Sequence, residues 1–346
     1  MKNFRGLACL ISAIAICLFT ASCEEKADPS YEHMVGVTNF NLPSFLPVSQ
    51  LIDIIAEGVA YPDNISVRWL IPEIYEDTLA GTHLTVRTPE EPGYFTVTAI
   101  TRSQGYYELT SSKSAILIDT TNSLTGRVFR GRYITDPRDG QKYHTCYVDS
   151  LEWFAENLKW AGAGVCYSDC DILQPVLGRL YTWNEATGGE EGSGLAGGPQ
   201  GACPEGWSVP TVEDWENLGK ALNGKKPVNF LASWDSLGQK LTVEAYLNGN
   251  KLWPISPDNL KKNSVYWNAL PAGYNMRSDD IFRDFTSYGM WWSSKKRTAD
   301  RAYYRYIYFD ADYCGVNYAN VDDVAFSVRC VKRIGGIEPL AADDAQ

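Results

Sequence analysis

The sequence predicts an all-β, immunoglobulin-like sandwich followed by a larger α+β domain. Three observations carry this expectation. The chain has 346 residues, 45% hydrophobic and 13% aromatic, which is the length of two domains at about 150 residues each and enough apolar matter for two cores. Residues 35–120 hold no cysteine and consist of short alternating runs broken by Pro, Gly, Asn and Asp. Ten of the eleven tryptophans then lie between Cys146 and Cys330, so a core of a different kind begins there.

The first element is a leader. Lys2 and Arg5 precede an apolar run over 7–19, which is shorter than the roughly 20 residues that span a bilayer. It ends in Thr20-Ala21-Ser22-Cys23, which resembles the lipobox of bacterial lipoproteins, with cleavage before Cys23 and lipid attached to that residue. The other reading is an ordinary secretory peptide with Cys23 incidental. Glu24-Glu25-Lys26-Ala27-Asp28 resembles the surface-export signal of Bacteroidetes lipoproteins, so 23–34 is expected to be an acidic tether that holds the chain at the outer membrane, facing outward.

Loss of residues 1–22 shifts the formal charge from -11 to -13, with 29 basic and 42 acidic residues remaining. Nucleic acid, which needs Lys and Arg to neutralise phosphate, is a poor partner for such a chain, and so is an anionic bilayer surface. Six cysteines remain besides Cys23: Cys146, Cys166, Cys170, Cys203, Cys314 and Cys330. An even number in an exported chain points to a disulfide framework, although spacing alone leaves about 15 connectivities open.

Strands are expected over 35–40, 51–56, 65–70, 83–87, 94–100, 106–110 and 115–119. About seven short strands in such a length is the arithmetic of an immunoglobulin-like sandwich. Trp69 on the third strand sits like the buried tryptophan of such folds, and Phe95, Val97 and Ala99 alternate with Tyr94, Thr96 and Thr98. The run Pro92-Gly93-Tyr94-Phe95-Thr96-Val97 resembles the glycine-led strand of PKD-like domains, with Phe95 where that family has tyrosine. The domain is read as a spacer, and residues 121–131, small and polar, as a linker. The glycine-rich run 188–194 reads as an exposed loop.

Beyond the linker, a succession of motifs stands in order: Asp136-Pro137-Arg138-Asp139-Gly140, Trp153-Phe154-Ala155-Glu156-Asn157-Leu158, Gly178-Arg179-Leu180-Tyr181-Thr182-Trp183, Cys203-Pro204-Glu205-Gly206-Trp207, Leu270-Pro271-Ala272-Gly273-Tyr274, Trp291-Trp292-Ser293-Ser294 and Ser327-Val328-Arg329-Cys330. Residues 132–334 thereby resemble the Fibrobacter succinogenes major paralogous domain. The resemblance implies an exported, often lipid-anchored protein and a C-type-lectin-like fold related to formylglycine-generating enzymes, with two helices around a small twisted sheet closed by its first and last strands. It also implies the pairings Cys203–Cys330, Cys166–Cys170 and Cys146–Cys314. Residues 335–346 are expected to be a disordered tail.

The residues support this picture independently. Thr211 and Asp214 form a capping-box start, followed by Trp215, Leu218 and Leu222 on one helical face. A short helix is expected at 183–186, strands at 265–270, 290–293, 303–309 and 324–331, and loops at 246–263 and 274–288.

Enzymatic readings lack their residues. The oxidase chemistry of formylglycine-generating enzymes uses two nearby C-terminal thiols on copper, whereas Cys314 and Cys330 are far apart in sequence. A Ser or Cys hydrolase needs a histidine base, and the only histidine of the second domain is His144. Glu156, Glu185 and Glu213 are conceivable glycosidase carboxylates, but Glu156 belongs to the structural motif of the resembled family and Glu213 to the first turn of a helix, where it favours the dipole. The signatures of calcium-dependent lectins are missing, since Trp267-Asn268-Ala269 lacks a final carboxylate. Asp279-Asp280 and Asp322-Asp323 read as solvated turns as readily as oxygen ligands, so no metal or cofactor is expected.

Binding has more support. Tyr303, Tyr304, Tyr306, Tyr308, Tyr313 and Tyr318, with Trp291 and Trp292, supply many rings. Tyr304, Tyr306 and Tyr308 fall on one strand face, and Tyr303, Arg305 and Ile307 on the other. Tyr274, Asn275, Arg277, Asp279, Asp280 and Trp292 are the candidate ligand contacts. The sequence thus predicts a non-catalytic surface lipoprotein whose head binds a glycan or protein in adhesion or nutrient capture, or, alternatively, a structural subunit of a surface assembly such as a fimbrial tip.

Overall fold

The computed structural model describes residues 30–334 except 77, 120, 122, 195–196, 224–233 and 255–261. The leader, Cys23, most of the acidic tether and the tail from 335 onward lie outside the described residues. Among the described residues no helix is long and apolar enough to cross a membrane. Strand predominates over helix among the described residues.

The first unit consists of β1 (Val35–Phe40), β2 (Phe45–Pro47), β3 (Leu51–Tyr61), β4 (Ser66–Leu70), β5 (Leu79–Ala80), β6 (His83–Arg87), β7 (Gly93–Arg102) and β8 (Leu109–Ile118). Two sheets form, ordered β1-β3-β6 and β2-β8-β7-β4-β5. Both contribute to one core, in which Phe40, Ile54 and Val86 meet Trp69, Phe95, Val97 and Leu117. Alternation produces this: Phe95, Val97 and Ala99 are fully buried along β7, and the residues between them are not. Trp69 is fully buried and donates its indole N–H to Gly81 O at 2.7 Å.

The strands expected at 106–110 and 115–119 are a single strand, β8. The serine-rich run between them stays extended: Ser112 and Ser114 decorate the outer face and pair with the hydroxyls of Thr98 and Thr96 at 2.7 and 3.0 Å.

The second unit opens with β9 (Leu124–Thr125), β10 (Tyr133–Thr135), β11 (Lys142–Val148) and β12 (Leu151–Phe154). It continues through α1 (Gln174–Leu177), β13 (Tyr181–Thr182), α2 (Trp183–Thr187), α3 (Val212–Asn223), α4 (Leu237–Leu241), β14 (Tyr246–Leu247) and β15 (Asn250–Lys251). Last come β16 (Tyr274–Met276), β17 (Ile281–Arg283), β18 (Tyr288–Thr298), β19 (Arg301–Tyr308), β20 (Gly315–Asn320), β21 (Val324–Phe326) and β22 (Val331–Arg333). β12 pairs with β22 in the sheet β10-β11-β12-β22, which ties the two ends of the unit together. The sheets β13-β21-β16-β17 and β18-β19-β20 complete the framework of the head.

Helix α3 begins where its cap requires, with Thr211 N–H donating to Asp214 at 2.8 Å and Asp214 N–H to the Thr211 hydroxyl at 3.1 Å. A reciprocal box between Thr182 and Glu185 starts α2.

Three expectations fail here. Residues 265–270 are not a strand, because Tyr266 and Asn268 take left-handed φ of 58° and 53°. Asn268 does so to hold Val128, accepting from its N–H at 3.0 Å and donating to its carbonyl at 2.8 Å. Nor is 274–288 a plain loop, since β16 and β17 form a hairpin whose turn carries Asp279 and Asp280. The expected loop at 246–263 contains the β14-β15 hairpin, and its residues 255–261 lie outside the described residues.

The stretch read as a linker is built into the head. β9 pairs with β14, Ser123 is buried, and Asn248 reaches back to Leu117 O at 2.7 Å. The two units also share an apolar cluster, in which Phe45 and Ile118 pack with Tyr167, Leu173 and Leu247.

Cys203 and Cys330 are bridged, as expected. Cys146, Cys166, Cys170 and Cys314 are buried thiols, so the other two expected pairings do not form. Cys166 Sγ faces Asp171, Gln174 and Arg179, while Cys170 Sγ faces Ser168 O at 3.1 Å. Cys146 and Cys314 sit in one apolar cluster among tryptophans. Burial pushes the Cys146 and Cys314 thiols up to about 12 and about 11, leaving them protonated and poorly nucleophilic at neutral pH.

Candidate ligand-binding groove

Alternation along the β18-β19-β20 sheet makes two unlike faces. On β19, Tyr304 lies opposite Trp292 and Asn317, Tyr306 opposite Met290 and Gly315, and Tyr308 opposite Tyr288. This face lines a groove of about 430 Å³, walled by Tyr274, Tyr288, Tyr304, Tyr306 and Tyr313 with Phe326 at its base. That volume is in the range of small-molecule sites.

The rings hold one another in place. Tyr304 packs on Phe326 at 4.4 Å between centroids, and Tyr306 lies 6.1 to 6.3 Å from Tyr288, Tyr304 and Tyr313. Glycine makes room for Tyr306: a Cβ on Gly315 would stand 2.3 Å from its Cζ. Gly273 shapes the opposite wall, with a φ of 64° and a backbone so close to Arg283 that a Cβ would meet that carbonyl oxygen at 2.2 Å.

The groove is nearly uncharged. Burial, assisted by neighbouring phenols, pushes Tyr304 up to about 12, and burial also raises Tyr274, Tyr288 and Tyr306. These hydroxyls are therefore neutral groups able both to donate and to accept. Asp284 stands at the rim, its carboxyl raised by partial burial against the opposing pull of Arg283. Asn317 adds an amide beside Tyr304.

Of the six residues the sequence nominates, Tyr274 alone lines the groove. Trp292 lies beneath it, fully buried, with its indole N–H on Tyr181 O at 2.7 Å. Asn275 is buried on the reverse of β16 and donates to Asp280 at 3.3 Å. Arg277 pairs with Glu185 at 3.1 Å, and Asp279 and Asp280 are exposed in the hairpin turn. Asp323 is used locally, accepting from Ser278 N–H at 2.9 Å. Among the described residues no cluster of three or more His, Cys, Asp or Glu is placed to hold a metal ion. Missed altogether were Tyr288, Met276, Met290 and Asp284, which enter from the presumed loop or from a strand whose alternation a run of consecutive apolar residues conceals.

Residues 135–332, more than half of the chain, match the model of the Fibrobacter succinogenes major domain. The chain belongs to this family. No curated protein matches it.

In this Fibrobacter succinogenes major domain the ordered motifs are structural knots. Asn157 accepts from Arg329 Nε at 2.7 Å and from Trp291 Nε1 at 2.9 Å, and donates to Leu177 O at 2.8 Å, so three motifs meet on one amide. Arg138 clamps Asp136 and reaches Ala202 O at 2.8 Å, beside Cys203. Trp183 donates to Ser293 O at 2.9 Å. Glu156 is buried, accepting from His144 N–H at 2.8 Å and pairing with Arg127 at 3.2 Å, and Glu185 belongs to the cap of α2. Apart from Tyr274, which closes the 270–274 motif, the groove is made by residues outside the motifs or by their immediate neighbours.

Proposed function

We propose that the protein is a non-catalytic, surface-held binding protein whose head takes a carbohydrate segment in the tyrosine groove. The observation that carries this reading is the groove itself: a concave, almost uncharged channel with several phenol rings and a few polar groups at its edges. Sugar rings present apolar C–H faces and a rim of hydroxyls. Aromatic side chains stack on the former, while phenol, amide and carboxylate groups bond the latter. A charged peptide would find only Asp284 among the lining residues to pair with.

In this reading the first unit is an immunoglobulin-like or PKD-like module and the second a C-type-lectin-like head. Lipid on Cys23 anchors both to the outer membrane with the head facing outward, for adhesion or nutrient capture. A glycan array probed with the exported chain carrying Cys23→Ser tests the reading. Binding to a defined glycan class, lost in Tyr306→Ala, is the expected result. Silence across the array together with co-purification of other surface proteins would replace it with the structural-subunit alternative.

A further inference from the structure

Where the connector crosses the head, a small chamber of about 10 Å³ is lined by Arg127, Glu156, Asn157, Lys159, Asn268 and Arg329 among others. It holds roughly one water-sized sphere.

The charges lining it do not balance. Three cations face a single carboxylate. Arg127 Nη1 lies 3.2 Å and Lys159 Nζ 3.6 Å from the same oxygen, Glu156 Oε1. The other Glu156 oxygen is taken by the main-chain N–H and the ring of His144, at 2.8 and 3.1 Å. Arg329 makes no carboxylate bond and donates to Asn157 Oδ1 at 2.7 Å and to the carbonyls of Phe154, Trp267 and Asn268.

All three cations are withdrawn from water, with side-chain exposures of 21% for Arg127 and 10% for Lys159 and a residue exposure of 1% for Arg329. Burial lowers the pKa of each, that of Arg329 to about 9. Asp139, the other acid felt by Lys159, is exposed, and the thiol near Arg329, Cys146, is protonated. A surplus of buried positive charge inside a chain of net charge -11 is costly unless something negative joins it.

We infer that this chamber binds one small monovalent anion, chloride in ordinary saline, held by Arg127 and Lys159. Chloride is slightly larger than a water-sized sphere, so the lining side chains give by roughly a few tenths of an ångström to admit it, whereas sulfate and phosphate would need far more room. The anion locks the connector, through Arg127, onto the loop that carries Glu156 and Lys159.

Thermal unfolding of the exported chain in sodium chloride, compared with sodium gluconate at equal ionic strength, tests this. Gluconate is too large for the chamber. A saturable rise in Tm with chloride is expected, reproduced by bromide, because a ligand bound only by the folded state stabilises it. Crystals grown in bromide should show an anomalous peak inside the chamber. Glu156→Gln removes the competing negative charge and should lower the half-saturating chloride concentration several-fold, whereas Arg127→Gln should abolish the effect. Superimposable curves in the two salts for both the wild type and Glu156→Gln, or bromide peaks only outside the chamber, overturn the inference. If Arg127→Gln does not fold, the Glu156→Gln titration and the bromide peak decide it.

Discussion

Replacing Cys203 and Cys330 by alanine removes the bridge between the segment before α3 and the segment before β22. The two residues are 127 apart in sequence, and in the chain-entropy treatment a loop of that length restricts the unfolded chain enough to contribute about 5 kcal/mol at 25 °C. Both cysteines are fully buried beside Trp207, Phe154 and Val328, so the lost sulfur atoms add a small packing cost in the same direction. Whole domains are stable by about 5–15 kcal/mol, and the loss is therefore a large fraction of the total. Urea unfolding followed by tryptophan fluorescence should show the midpoint of the head falling by about 2 M, from the usual urea slope of about 1–3 kcal/mol/M. A thiol titration in denaturant without reductant gives a companion count on chain that starts at residue 23 and carries Cys23→Ser, so that Cys9 and Cys17 are absent. It should find four thiols, those of Cys146, Cys166, Cys170 and Cys314. A stability loss under about 1 kcal/mol would refute the loop argument, and a count of zero would restore the three-bridge framework and refute the assignment of the buried thiols.

Three further outcomes follow from the packing. Gly315→Ala pushes a Cβ into the Tyr306 ring and should weaken binding of any ligand found for the groove at least as much as Tyr306→Phe, while far-UV circular dichroism stays unchanged; equal affinity would show that the ring is not held by this contact. Phe45→Ala removes a ring that meets Phe285 edge-on at 6.0 Å and should cost about 3 kcal/mol in the first transition of a melt and loosen the groove rim, read as faster hydrogen exchange at 284–288. Burial works against the charge on Glu156, but Lys159, the His144 N–H and Arg127 outweigh it and hold its pKa below the ordinary carboxylate value. Its contribution to stability is therefore present above the unfolded pKa near 4.3 and lost as pH falls through the lower folded value, so Glu156→Gln should be less stable than wild type at pH 7 and should close that gap below pH 4.

Legibility in the sequence followed the period of the pattern. Along β7 the alternation of Phe95, Val97 and Ala99 is unbroken, and the strand falls where it is expected. The capped start of α3 is written in Thr211 and Asp214, and the family was readable from its ordered motifs. The groove was harder because the motif residues are mostly those that make internal bonds. Asn157, Trp291 and Arg329 show up because each bonds others buried in the core, and such residues say how the head is knotted rather than what it holds. Tyr288, Met290 and Trp292 illustrate the difficulty: they alternate onto one face, but Trp291 between them is equally buried against the other core, and a strand covered on both sides has no polar phase to reveal which face is which. Trp292 stands opposite Tyr304 across the strand pair but is fully buried, with its indole N–H on Tyr181 O, and does not line the groove. Of the three expected pairings Cys203–Cys330 holds and the other two fail, because an even count of cysteines says nothing about whether buried thiols point at each other.

The sequence of the first unit suggests a spacer, and its contacts give it a more specific part. Phe45 from β2 and Ile118 from β8 enter the apolar cluster of the head, and Phe45 rests on Phe285, which is also held by Tyr167 at 5.2 Å. Phe285 follows Asp284 directly, and the Asp284 carbonyl accepts from the N–H groups of Ser287 and Tyr288, each at 3.0 Å, closing the turn that delivers Tyr288 to the groove. One wall of the groove is thus braced from below by the preceding unit. The connector adds a second brace: β9 pairs with β14, while Arg127 and Val128 are fixed by Glu156 and Asn268. A flexible linker would let the head reorient freely and would leave the 284–288 turn on its own weak internal bonds. With both braces in place, the groove keeps its shape before a ligand arrives, and less ordering entropy opposes binding. This matters most for a shallow aromatic site, whose gross interaction with any one ligand group is small. Deleting the first unit should therefore cost the groove affinity even though none of its residues lines it.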